Sequence, residues 1–191
     1  MAHPSRNRTL FALALVAGAA GLAAPARAAD VFRARLLTGK APVEPPAVAL
    51  RIEVQSYTTP DELIQLQQAL NSSDQAFLDV FQKLNKGVVR FMDSRGWNLP
   101  IHAVQLVPAE KGKKLVCVML RQVWDPGSQF VRVGENFFMV LELNLRDKGA
   151  GDGRLYEDAS IRFILPDGKI EMTKYGAAPK ILIQASEVKQ K

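Results

Sequence analysis

A strand and a helix start stand side by side in Val48-Ala49-Leu50-Arg51-Ile52-Glu53-Val54-Gln55-Ser56-Tyr57-Thr58-Thr59-Pro60-Asp61-Glu62, and this stretch decides the fold class. In its first half, large apolar residues alternate with polar or small ones, which is typical of a β-strand with one buried and one wet face. In its second half, Thr59 is a capping residue, Pro60 suits a first turn, and Glu62 completes a capping box. The stretch predicts a strand followed directly by a helix.

Two consecutive helices are predicted after this start. Asn71-Ser72-Ser73 ends the first helix and caps the second, and Gly87 is expected at the C-terminus of the second helix. Apolar residues recur at helical spacing along both helices. We interpret this stripe as a contact with the protein core, and a partner-binding face is the alternative. The stripe consists of Leu63, Leu66, Leu70, Phe77, Val80, Phe81 and Leu84.

Consecutive strands, joined by short links with turn chemistry, are predicted from residue 88 onward. Short links require antiparallel neighbours, because a parallel pair needs a long crossover. The run Leu115-Val116-Cys117-Val118-Met119-Leu120 is apolar on both faces, so we expect a central strand there with the chain's single cysteine buried. The predicted strands cover residues 88–93, 101–108, 114–124, 135–145, 160–165, 169–174 and 180–188.

These elements predict an α+β fold. We expect a strongly bent antiparallel sheet, or a partly closed barrel, of about seven strands. It is packed on a two-helix hairpin that is inserted after an early strand. Residues 47–191 are assigned to this single domain. Residues 29–46 are assigned to an extended N-terminal segment that has a short strand at 31–37 and ends in a proline-rich connector.

Residues 1–28 have the three parts of a cleavable signal peptide. Arg6 and Arg8 precede an apolar run at 10–24, and Ala26 and Ala28 are the small residues that a signal peptidase reads. A membrane anchor is the alternative, but the run is shorter than the ~20 residues that span a bilayer. We therefore expect a periplasmic or secreted protein with no transmembrane segment in the mature chain.

The charge of the mature chain does not favour a nucleic-acid partner. The formal net charge of the whole sequence is +6, and it falls to +3 without the three arginines of the signal, Arg6, Arg8 and Arg27. No cluster of five or more Lys and Arg residues occurs, so the electrostatic pattern of a nucleic-acid-binding protein is missing.

His102 is the only histidine after residue 28 and the sole catalytic candidate. It alternates with apolar residues on a predicted strand, and no nucleophile motif accompanies it, whereas a triad needs a nucleophile, a base and an orienting acid. A zinc site needs three or four nitrogen or sulfur ligands, which His102 and Cys117 alone do not supply. We expect neither a metal nor a cofactor.

The densest glycine segment, residues 148–154, is predicted to be a mobile loop between strands. A phosphate-binding loop has to lead into a helix N-terminus, and the residues that follow are too few for that helix. An EF-hand is excluded because Gly149 and Gly151 stand where ligands are needed.

Four aromatic residues lie near predicted strand ends and are candidates for ligand binding. If they gather at one end of a barrel they form the mouth of a ligand site; otherwise they close the ends of the core. The four are Trp97, Trp124, Phe130 and Tyr156.

Five stretches carry a resemblance to known sequences. They are Phe32-Arg33-Ala34-Arg35-Leu36, Tyr57-Thr58-Thr59-Pro60-Asp61-Glu62, Val140-Leu141-Glu142-Leu143-Asn144-Leu145, Gly153-Arg154-Leu155 and Tyr175-Gly176-Ala177-Ala178-Pro179. With them, nearly the whole chain after residue 28 resembles an uncharacterised family of small exported bacterial proteins of unknown function. The resemblance implies one intact exported domain and brings no activity and no site residues.

Three functions remain open at this point. The sequence favours an exported envelope protein that acts as a non-enzymatic binding or structural module with an unknown protein partner. The first alternative is a carrier of a small apolar ligand within the bent sheet. The second is a cofactor-free hydrolase or isomerase that uses His102. A pocket lined by inward apolar residues would favour the carrier, and a Ser or Asp within hydrogen-bond reach of His102 would favour the enzyme.

Overall fold

The computed structural model describes residues 29–39, 46–93, 96–121, 137–165 and 167–189, so residues 1–28 and most of the proline-rich connector lie outside it. These ranges contain ten strands and two helices. In chain order the elements are β1 (Asp30–Leu37), β2 (Ala47–Val54), α1 (Pro60–Ser72), α2 (Asp74–Phe81), β3 (Gly87–Phe91), β4 (Asn98–Ile101), β5 (Ala103–Ala109), β6 (Gly112–Leu120), β7 (Phe138–Arg146), β8 (Gly151–Ile164), β9 (Lys169–Tyr175) and β10 (Lys180–Val188).

One antiparallel sheet contains all ten strands, in the order β4-β3-β2-β1-β10-β8-β7-β6-β5, with β9 paired to β8. β1 therefore lies inside the sheet, between β2 and β10. The end strands β4 and β5 are separated by His102 alone and do not pair with each other in the described structure. The predicted α+β class with a bent antiparallel sheet is confirmed, but the sheet is not closed and the predicted number of strands, about seven, is too low.

Two features explain the extra strands: β1 and β2 belong to the same sheet, and the pairing changes at His102. Residues 101–108 were predicted to form one strand, but Ile101 pairs with Gly87 of β3, whereas Ala103 pairs with Val118 of β6. The chain thus leaves one end of the sheet at His102 and joins the other end. Periodicity does not reveal this change, because both strands remain extended.

The glycine-rich segment lengthens a predicted strand and adds none, and the predicted mobile loop there is wrong beyond residue 150. β8 begins at Gly151 and runs for 14 residues. A Cβ atom at Gly151 or Gly153 would overlap the backbone carbonyl oxygens of Asn144 and Glu142 on β7. The glycines therefore allow two strands to approach closely, which is a strand role of glycine.

The helix start is confirmed in detail. The Thr59 hydroxyl accepts a hydrogen bond from the Glu62 backbone N–H at 3.2 Å, and the Glu62 carboxylate accepts one from the Thr59 N–H at 2.8 Å. Ser73 caps α2, as predicted. The prediction for Gly87 is wrong: α2 ends at Phe81, and Gly87 opens β3.

Two hydrophobic cores lie on the two faces of the curved sheet. The interior core fills the concave side, and the outer core lies between the sheet and the two helices. The predicted central strand, β6, contributes Cys117 and Met119 to the interior core and Val116 and Val118 to the outer one. Cys117 is fully buried, as predicted, and burial raises the pKa of its thiol. The helix stripe is confirmed as core, since its buried members are Leu63, Leu66, Phe77 and Phe81.

Candidate ligand cavity at one end of the curved sheet

A cavity of about 510 Å³ opens at one end of the curved sheet, continuous with the interior core. The antiparallel register places the C-terminal ends of β1, β3 and β6 at this end, together with the first residues of β2, β4, β7 and β10. Strand ends from both halves of the sheet therefore surround one opening.

The cavity wall is apolar. Leu36, Leu99 and Leu155 are almost fully buried at its inner side. Three partly buried residues that pack on the same core complete the wall: Val48, Phe91 and Met139. These six wall residues come from six different strands, which the curvature of the sheet brings together around the cavity.

Charged side chains occupy the rim. Lys180 forms an ion pair with Glu157, and both are about half exposed. Arg121 approaches Asp158 at 3.9 Å with one nitrogen, which is the outer limit of an ion pair. Among the described residues, the rim thus carries Lys180, which is tightly paired, and Arg121, whose contact with Asp158 uses one of several guanidinium donors.

Trp97 is the predicted aromatic residue that lies at this opening. It lines the cavity and is 56 % exposed. Tyr156 is buried on the opposite face of β8, in the outer core, where its ring centroid lies 5.1 Å from that of Tyr175. Trp124 and Phe130 lie outside the described residues, in the segment that joins β6 to β7. Of the two described candidates, Trp97 lies at the opening and Tyr156 closes the outer core.

Sequence reasoning missed the charged rim and most of the apolar wall. Alternation in residues 48–54 did predict an inward Val48, whereas Leu155 lies between two predicted strands, just after the glycine-rich segment. Arg121 and Lys180 gave no signal of their own, because isolated cations at strand ends are common on any surface.

His102 lies away from the cavity, at the bend between β4 and β5. Its ring is buried, and Nδ1 lies 2.9 Å from the Leu84 carbonyl oxygen; because that oxygen only accepts, Nδ1 carries the proton and donates it. Burial lowers the pKa of His102, and the hydrogen bond to Leu84 acts in the opposite direction. A neutral, buried ring whose Nδ1 proton is already donated to the backbone is typical of a packed core histidine.

The described residues that line the cleft beside His102 include no set of catalytic groups. This cleft of about 440 Å³ is lined by described residues without a hydroxyl, thiol or carboxylate side chain, namely Gln55, Gln82, Leu84, Asn85, Gly87, Val88, Arg90, Pro100 and His102. The Ser or Asp that would favour the enzyme is not among them.

The described ranges also contain no group of three or more His, Cys, Asp or Glu side chains placed to hold a metal ion. Neither helix in those ranges has the length and apolar character needed to cross a membrane.

Comparison with models of protein families, with curated proteins and with solved structures finds no match to this chain.

Proposed function

We propose that this protein is a carrier that binds a small ligand with an apolar body in the cavity at the end of the curved sheet. The observation that supports it is the apolar wall formed by inward residues of six strands around a space of about 510 Å³. Small-molecule sites commonly have volumes of about 300–1,000 Å³ with mostly apolar walls and few polar groups.

The distribution of polarity indicates how the ligand lies. The buried end of the cavity is built from leucines, so the apolar body of the ligand lies there. Arg121, Glu157 and Lys180 stand at the opening, where a polar end of the ligand stays in contact with water. Trp97 covers the same opening with an exposed aromatic ring that adds contact area to a bound ligand.

Titration with N-phenyl-1-naphthylamine, an uncharged probe that fluoresces in apolar surroundings, tests the proposal. We expect saturable binding at one site per chain. In the variant Val48→Trp, a large side chain fills the cavity, and the affinity should fall about tenfold or more, since the lost contact exceeds 1.4 kcal/mol.

Val107→Trp is the matched control, because Val107 is also a half-buried strand valine and lies on β5, away from the cavity. It should bind the probe as the unchanged protein does. Equal probe binding by all three proteins, or none by the unchanged protein, would contradict the carrier function. Native mass spectrometry of protein isolated from its own cells then reveals a retained ligand by its added mass.

We propose further that the carrier is exported to the periplasm or secreted. The support is the signal-like sequence of residues 1–28, together with the first strand, β1, which begins two residues after it at Asp30. N-terminal sequencing of the protein from the cell envelope or medium should give a start near Ala29. A mature product that retains Met1 would contradict export by cleavage.

A further inference from the structure

Arginines lie in a row across the outer face of β1, β2 and β3. Arg33 on β1 is directly opposite Arg51 on β2, and Arg51 is directly opposite Arg90 on β3. Arg35 lies on the same face of β1 as Arg33, because side chains two residues apart in a strand share a face. Like charges directly opposite each other in a sheet are destabilising, so two successive Arg–Arg pairs are unexpected for structural reasons alone.

One acid on this face, Glu53, neutralises only part of the row. Its carboxylate accepts from Arg51 at 2.7 Å and from Arg90 at 3.3 Å, and these arginines hold its pKa below the ordinary value. Within the described ranges, Arg33 and Arg35 form no ion pair, and both are exposed. The acid of the next row, Asp152, is already bonded to Arg146 and Asn144.

A cleft of about 570 Å³ lies beside the two unpaired arginines. Ala49 is opposite Arg35 on β2, and its small side chain leaves the space open. The other side is formed by Gln184 and Ser186 of β10 and by the turn at Gly149. The lining contains several side-chain donors and no carboxylate.

Gln184 adds a second, independent sign of a built site. It occupies a bulge that shifts the register of β10 against both β1 and β8, and its φ is +54°. This left-handed conformation costs about 1–3 kcal/mol for a residue other than glycine and is often found at functional sites. The strained residue lines the cleft that holds the unpaired arginines.

We propose that this cleft is a binding site for the phosphate group of a ligand. The Cα atoms of alternate residues in one strand are about 7 Å apart. Two arginine side chains at this spacing can hold a tetrahedral ion between their guanidinium groups. A phosphate monoester carries a charge of about −1.5 to −2, which matches two unpaired cations better than a single carboxylate does. The site lies on the outer face of the sheet and is independent of the apolar cavity.

Calorimetric titration of the protein with pyrophosphate, at constant ionic strength, tests the proposal, with acetate as the carboxylate comparison. We expect pyrophosphate to bind and acetate to bind at least about tenfold more weakly. The double variant Arg33→Gln/Arg35→Gln should lose about tenfold or more in pyrophosphate affinity, because one hydrogen bond to a charged group is worth about that factor.

The matched control is Arg162→Gln/Lys169→Gln, which removes the same charge from two exposed cations that are already ion-paired and do not line the cleft. Its pyrophosphate affinity should stay within about twofold of the unchanged protein. Equal losses in both double variants, equal binding of acetate, or no binding in any arm would overturn the proposal. Arg35→Lys, which keeps the charge and loses the planar fork, should bind less tightly and covers the case in which the double variant fails to fold.

A second arm identifies the source of the phosphate. Flotation with phosphatidylcholine vesicles, with and without phosphatidic acid, measures binding to a lipid phosphate. Binding that requires phosphatidic acid together with Arg33 and Arg35 assigns the site to a lipid head group. Binding of pyrophosphate without vesicle binding assigns it to a soluble phosphate ester.

Discussion

Gly87 opens β3 in a backbone conformation that other residues rarely adopt. Its φ is +146°, and a Cβ atom there would overlap the carbonyl oxygen of Glu53 on β2. Gly87→Ala should therefore lower the free energy of unfolding by about 2–4 kcal/mol, through strain and a forced shift of β2. Gly96→Ala is the control, since Gly96 also has a positive φ, +61°, but open space around it. It should cost only about 1–2 kcal/mol. Urea denaturation measures both, and equal losses would show that strand contact at Gly87 is unimportant.

His102 gives the protein a stability that depends on pH near neutrality. Burial lowers its pKa in the folded state. The unfolded chain takes up the proton near pH 6.5, about its ordinary pKa, whereas the folded protein does so only at lower pH. Between these two values the unfolded state binds more protons, so the free energy of unfolding falls as the pH falls through this window.

Chemical denaturation of the protein without residues 1–28, at a series of pH values between about 7.5 and 5, tests this. His102→Gln should remove the decline in this range. The lowered pKa values of Glu53, Glu62 and Asp152 act only below about pH 4.5, outside the window. An unchanged decline in the glutamine variant would mean that another group titrates. The same variant should keep full binding of the cavity probe, because His102 does not line the cavity.

At the scale of elements, the helix pair is held to the sheet by aromatic contacts. The Phe81 ring is fully buried, and its centroid lies 5.1 Å from that of Phe77 and 5.6 Å from that of Phe138 on β7. Phe81→Ala should lower the free energy of unfolding by about 3–5 kcal/mol, as truncation of a buried Phe does. The control is Ile64→Ala on α1, a side chain that is 41 % exposed, with an expected loss below about 1 kcal/mol. Similar losses at both positions would contradict the packing described here.

The sequence was sufficient for elements whose signals are local. Capping chemistry predicted the helix starts at Thr59 and Ser73. Periodicity predicted the helix stripe and the strand around Cys117 that is buried on both faces. Prediction from the sequence failed where a residue's role depends on a strand far away in the chain. Gly153 is a glycine because β7 approaches closely there, and the break at His102 marks a change of partner strand.

The candidate cavity shows the same limit more strongly. Trp97 was predicted to be near a strand end, but Leu155, Arg121 and Lys180 join it only through the order of strands in the curved sheet. Strand order depends on contacts between residues far apart in the chain, and these leave no local pattern. A site assembled from many strands is thus visible in the structure and almost invisible in the sequence.

At the scale of the whole molecule, the two faces of the curved sheet have different roles. The helices cover the outer face around β5 to β8 and form one core with it, while the concave face forms the other core and leaves the cavity at its open end. The outer face of β1 to β3, which the helices do not cover, carries the arginine row. The two proposed sites therefore lie at the open end of the interior core and on the face that the helices leave uncovered.

This arrangement predicts which part of the molecule unfolds last. β6 is paired on both sides, with β5 and β7, and both of its faces are buried over Leu115–Met119. Among the described strands, β9 pairs only with β8, and most of its side chains are exposed. Amide hydrogens of β6 should therefore exchange only through global unfolding, whereas those of β9 exchange through local opening. Hydrogen exchange followed by mass spectrometry at increasing denaturant measures both: exchange in β6 should accelerate in step with the global free energy of unfolding, and exchange in β9 should be faster and nearly independent of denaturant. If β6 exchanged as fast as β9, the packing of the two cores on opposite faces of β6 would be contradicted.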